Sequence, residues 1–180
     1  MTAFTLPFTA PAPATKGSFD ICPATRIAVS LACFTMSFAA LWAISRAALG
    51  LAPDVSYYWT KLPIMIHVTA VLPTIPLGGY LLLARKGTSA HKTLGKVWMG
   101  LMLVTAISAL WIQSSGSFSW IHLFVPITIH AAWKVMQTAR KGDIRAHKNH
   151  LVRTYLTALL IPGIFAFAVP GRLMNVLLFG

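Results

Sequence analysis

No glutamate occurs anywhere in this sequence of 180 residues, and its acids are only Asp20, Asp54 and Asp143, all in expected loops. Paired-carboxylate catalysis, a carboxylate proton relay through a bilayer and a glutamate base beside zinc therefore lack their usual residue. Cysteine is as scarce. Cys22 and Cys33 show no CxxC spacing, and no CxxCH occurs, so neither a thiolate metal site nor covalent haem attachment is signalled. Charge too is sparse: 10% of residues are charged against 57% hydrophobic, and the apolar stretches run to about 20 residues, which marks an integral membrane protein. Runs this long and non-alternating satisfy their backbone amides in hydrocarbon as helices rather than as barrel strands. A net charge of +12 would suggest nucleic acid in a soluble protein. Here the Lys and Arg residues collect at helix ends, where membrane topology accounts for them, and no nucleic-acid partner is expected.

The expected fold is all-α and polytopic, with five transmembrane helices. Residues 1–24, rich in proline and without the basic start of a signal peptide, read as an N-terminal tail. A first span at about 25–49 and an outer loop fill 25–60. A four-helix unit follows over 61–172, with spans near 61–84, 90–112, 119–139 and 151–169, and 173–180 is too short to cross. Of the 15 Lys and Arg, only Arg46, Lys61 and Arg172 fall on one side, so that side is outside. The expected setting is a bacterial inner membrane, N-terminus cytoplasmic and C-terminus periplasmic. Tyr57, Tyr58, Trp59, Trp111 and Trp120 fall where an outer aromatic belt belongs.

Within the four-helix unit two stretches are near-copies. Ala84-Arg85-Lys86-Gly87-Thr88-Ser89-Ala90-His91-Lys92 recurs as Ala139-Arg140-Lys141-Gly142-Asp143-Ile144-Arg145-Ala146-His147-Lys148, with one inserted residue. His67 precedes Arg85 by 18 residues, and His122 precedes Arg140 by the same 18. The last four helices thus read as two parallel-repeat hairpins that pair His67 with His122 near the outer surface and His91 with His147 near the inner one. A b-type haem needs two neutral imidazoles on opposite sides of its plane, most simply from facing helices of a bundle. One or two haems are expected, ligated through the iron by His67 with His122 and by His91 with His147. At about 1.5 Å of rise per residue the two levels stand roughly 27 Å apart.

Other residues compete for these roles. His130 has no repeat partner, since Ile75 holds the matching place; it suits an interhelical hydrogen bond, a replacement for His122, or a hydrogen bond to a quinone. His150 competes with His147. Haem propionates would need cations: Arg85, Arg140 and Arg153 among the inner candidates, Lys61 and Arg46 outside. Positive-inside bias alone also explains the inner set. A closed zinc site would lack two ligands at each level.

His67, the Leu83-Ala84-Arg85-Lys86-Gly87 turn with His91-Lys92 and Leu94-Gly95-Lys96, then His122, Arg140-Lys141-Gly142-Asp143, His147 and Arg153 together resemble the bacterial membrane-protein family catalogued as domain of unknown function 2306. The resemblance runs from about His67 to Arg172 and implies a fold but no activity. Histidines on alternate helices resemble, in architecture only, the b-type transmembrane cytochromes of the ascorbate-reducible and ferric-reductase-like kinds. The functional expectation is a transmembrane electron carrier with b-type haem, linked to a quinone pool. Its alternative is a haem-free accessory or structural subunit of a larger respiratory or photosynthetic complex; the expected partners are the lipid bilayer and either a larger membrane complex or a second copy in a homodimer.

Overall fold

The computed structural model describes residues 21–84, 86–113 and 118–180. Most of the expected N-terminal tail, Asp20 and Arg85 lie outside them. The described residues form helices and turns without a strand: α1 (Pro23–Ala48), α2 (Ser56–Trp59), α3 (Leu62–Leu83), α4 (Ser89–Ala109), a 3-10 turn (Trp120–Leu123) leading into α5 (Phe124–Arg140), α6 (Ile144–Thr154), a π segment (Tyr155–Leu160) leading into α7 (Ile161–Ala168), and α8 (Leu173–Phe179). The protein is a membrane helical protein. Three helical stretches, Pro23–Ala48, Leu62–Leu83 and Ile144–Ala168, are long and apolar enough to cross a bilayer.

The final long helix departs from expectation at its start. Hydropathy places its beginning at Leu151, yet the chain is helical from Ile144, because Asp143 caps the end by accepting the Ala146 N–H at 3.0 Å. Arg145, His147, Lys148 and Asn149 make that first stretch polar, so it reads as loop on an apolar scale. The preceding turn is fixed by Gly142 at φ 71°, with Asp143 N–H donating to the Thr138 carbonyl and Gly142 N–H to the Ala139 carbonyl, a Schellman closure. The other basic turn has the same parts in another order of detail: Gly87 at φ 81°, then Thr88 accepting the His91 N–H at 3.1 Å. Replacing Asp143 by alanine is expected to lower stability by about 1 kcal/mol, read as an earlier thermal transition in detergent.

α3 and α4 pack along their lengths, α5 lies against α4 and α6, and α1 covers α3. Two glycines allow the closest of these approaches. A Cβ on Gly78 would stand 2.6 Å from Trp98 Nε1 and 2.8 Å from the Tyr155 ring; one on Gly79 would stand 2.5 Å from Cys33 Sγ. Bare glycine also uncovers the helix carbonyls one turn earlier. Trp98 Nε1–H donates to the Thr74 carbonyl at 3.0 Å, and the Tyr155 hydroxyl to the Ile75 carbonyl at 3.1 Å. Both rings are buried, and their polar atoms are satisfied without water.

One end of the bundle is closed by α8. The Arg46 guanidinium donates to the main-chain oxygens of Leu177, Leu178, Leu51 and Gly180, placing a cation at the C-terminal end of α8. The Tyr58 hydroxyl donates to the Gly171 carbonyl at 2.8 Å, which ties α2 to the turn before α8. On the bundle exterior Phe34, Phe38, Leu41 and Trp42 of α1 stand exposed, the pattern of a helix facing lipid.

Candidate functional site

At the end of the bundle opposite the two basic turns, the helices part around an apolar cavity. Its empty space is about 1350 Å³, counting the open solvent at its mouth. The walls come from α1 (Met36, Ala40), α3 (Val71, Ile75), α4 (Met102, Ala106) and α7 (Pro162, Gly163), with the π segment supplying Ala158 and Leu159. The sequence opens this space locally. Pro162 has no N–H to give the Ala158 carbonyl, and the chain just before it takes the wider π register. Gly163 leaves the Met36 side chain room to lie against the backbone.

Two histidines border that cavity, and they are the pair that the repeat predicts: His67 from α3 and His122 from the 3-10 turn before α5. His67 Nδ1–H donates to the Thr105 carbonyl at 2.9 Å, with Ser108 Oγ at 3.3 Å. This bond fixes the tautomer and leaves Nε2 as the atom with a lone pair, the arrangement usual for a metal-binding imidazole. His122 is 8% exposed. Its Nδ1 lies 3.0 Å from both the Ser119 N–H and the Ser119 carbonyl, so the turn can serve either tautomer. His122 Nε2 is buried without a hydrogen-bond partner. Leaving such a group unsatisfied costs about 1–3 kcal/mol, which a ligand would recover.

Polar atoms without partners concentrate here. Among the described residues five buried side-chain atoms lack a partner, and three of them, Thr105 Oγ1, His122 Nε2 and Arg172 Nε, belong to residues lining this cavity. Arg172 was counted in the sequence only as an outer charge. It lies within electrostatic reach of His67, and burial alone moves its pKa, downward, with no carboxylate raising it back. The outer cations that sequence reasoning favoured are committed elsewhere: Arg46 to α8, and Lys61, outside the cavity lining, to the Tyr57 ring with Nζ 4.9 Å from its centroid. Nothing local in the sequence singles out Arg172, because its place depends on α8 folding back over the bundle.

His91 and His147 lie within electrostatic range of one another. His147 Nδ1–H donates to the Val135 carbonyl at 3.0 Å, as His67 does to the Thr105 carbonyl. His91 Nδ1 is buried without a partner. The cavity does not extend to them. The single inserted residue puts His147 five positions after its glycine where His91 stands four after its own, a rotation of about 100°. His150 is half-buried, one turn further along α6, while Arg140 and Arg153 are exposed. His130 is exposed on the side of α5 opposite Val125, Thr128, Ala132 and Val135, its ring centroid 5.8 Å from that of Trp133, so the structure does not bring it to the cavity. Arg85 lies outside the described residues.

The donor set suits a porphyrin iron better than a bare ion. No group of three or more His, Cys, Asp or Glu is poised to hold a metal among the described residues. Zinc wants four protein or water ligands, whereas a haem brings four nitrogens and asks the protein for two. The cavity offers apolar walls, two imidazoles and, among the described residues, the guanidinium of Arg172 with a buried Nε that has no partner.

No curated protein and no solved structure matches the chain. Residues 64–173 match the family described as predicted membrane protein (DUF2306). That stretch is more than half of the chain and contains His67, His91, His122, His147 and Arg172. The protein belongs to this membrane-protein family.

Proposed function

We propose that the protein is a transmembrane electron carrier that holds a b-type haem between His67 and His122. The observation that supports this most is the buried, unpartnered Nε2 of His122 on the same apolar cavity as His67. When bound, the haem supplies a one-electron couple at the outer side of the bundle. The chain's own part would be to hold the two imidazoles of His67 and His122 in place and to surround the group with apolar walls. Thr105 fixes the His67 tautomer through its carbonyl, and Ser119 accepts the Nδ1 proton of His122 when Nε2 serves as ligand. Apolar walls favour the less charged ferrous state and so raise the potential.

The wider reading sets five spans across a bacterial inner membrane, with α4 and α5 completing the set. The N-terminus is inside and the two basic turns face the cytoplasm, a placement supported by the clustering of twelve of the 15 Lys and Arg on that side. His91 and His147 are then the place for a second haem, a reading carried there by the repeat and the His147 anchor rather than by a cavity. Electrons would pass between a quinol at one surface and an acceptor at the other. The test is direct. Protein purified in detergent from haem-replete cells should be coloured, give reduced-minus-oxidised bands of b type and release its haem into pyridine as the non-covalent pigment. A colourless protein without reducible bands would overturn the carrier and shift the case to a haem-free accessory subunit of a larger membrane complex.

A further inference from the structure

The polar edge of the cavity carries a charge that no residue described here neutralises. The chain has three acids. Asp54 accepts from the Ser56 N–H at 2.8 Å and from its hydroxyl at 3.1 Å, Asp143 caps α6 beside the far turn, and Asp20 lies outside the described residues. The Arg172 guanidinium donates no hydrogen bond to the described protein, its Nε is buried, and it borders a space whose walls are mostly apolar, with His67, His122, Thr105, Thr128 and Tyr58 as the other polar lining residues. A guanidinium in such a place forms strong charge-assisted pairs with a carboxylate and loses most of that gain with a neutral group. The turn that bears it is held by the Tyr58–Gly171 bond, so the cation is presented from a fixed backbone.

We propose that Arg172 recognises a carboxylate on the ligand of this cavity, so that the site selects a hydrophobic acid over its neutral ester. The haem propionates assigned under the proposed function are one source of that group, and the inference in this form rests on that reading. A long-chain fatty acid is the other. Both present carboxylate at one end of an apolar body, two propionates on one edge of the haem and one group on the fatty acid, which matches a cation at the mouth of an apolar space. Lysine at position 172 would keep the charge but lose the two-toothed geometry.

The experiment uses the full chain of 180 residues, purified in detergent from haem-deficient cells. Haem b and its dimethyl ester are titrated into wild type, R172Q and R172K, with binding read from the Soret band. Wild type should bind the acid at least about tenfold more tightly than the ester. R172Q should bring that ratio near one, and R172K should fall between. An equal ratio in wild type and R172Q would overturn the inference while leaving the haem itself in place. If neither porphyrin binds, the haem reading fails, and the second arm decides Arg172: palmitate against methyl palmitate, followed by tryptophan fluorescence. A preference for palmitate that R172Q removes would uphold carboxylate recognition. No preference, or one that survives in R172Q, would end it. Circular dichroism melts of each variant separate loss of recognition from loss of fold.

Discussion

His67→Ala and His122→Ala each remove the same spectral component, and neither His130→Ala nor Arg140→Ala does. That is the expected result if the two imidazoles share one iron. Losing one axial nitrogen turns a six-coordinate low-spin haem into a five-coordinate one, shifting the Soret band and weakening retention by tenfold or more, on the order of what even indirect ligand changes produce. Free imidazole should restore the low-spin spectrum in both variants, because the alanine leaves a ring-sized space on an apolar wall. His130 makes a sharp control, since it is a histidine of α5, the helix that follows the His122 turn, and it faces outward. A reversed pattern, with His130→Ala bleaching the protein and His122→Ala harmless, would move the site to the bundle's exterior.

Gly78→Ala produces the largest loss of stability expected from a single methyl group here. The added carbon would lie inside the contact distance of both Trp98 and Tyr155. Neither ring can swing away cheaply, as Trp98 is 1% and Tyr155 2% exposed and each is tied to a helix carbonyl. Overpacking costs about 1–3 kcal/mol, and breaking either bond leaves a buried donor unmet for a similar amount, so a loss of about 3 kcal/mol is expected. Gly100→Ala is the matched comparison. Nothing stands within 4 Å of a Cβ there, and replacing glycine in the interior of α4 should be neutral or stabilising by up to about 1 kcal/mol. Thermal unfolding in detergent distinguishes the two; equal melts would show that the close approach of α3 to Trp98 and Tyr155 does not hold the bundle together.

Much of this was legible in the sequence because the signals were local or repeated. Long apolar runs announced α1 and α3 to within two residues at each end. The duplicated basic turn located His67 and His122 on corresponding helices, and the structure puts both on one cavity. What escaped has a common cause in distant contacts or in local capping that outweighs hydropathy. Arg172 reaches the cavity only because α8 folds back beneath Arg46, which bonds residues more than 130 positions away. The polar start of α6 looks like a loop until Asp143 is seen as its cap. Lys61 looked available from its position alone, and its ammonium instead rests over Tyr57. His130 suits an interhelical hydrogen bond from its place in the sequence, whereas the helix turns it toward the surroundings.

The account stands on both axial positions of one iron being imidazole. Three methionines, Met36, Met102 and Met174, also border the cavity and offer a thioether as the competing ligand. Near-infrared magnetic circular dichroism of the oxidised protein reads the axial pair directly. Two histidines at the outer haem are predicted, with the band lost in His122→Ala; a histidine–methionine band, or a high-spin centre with one histidine, would contradict the assignment.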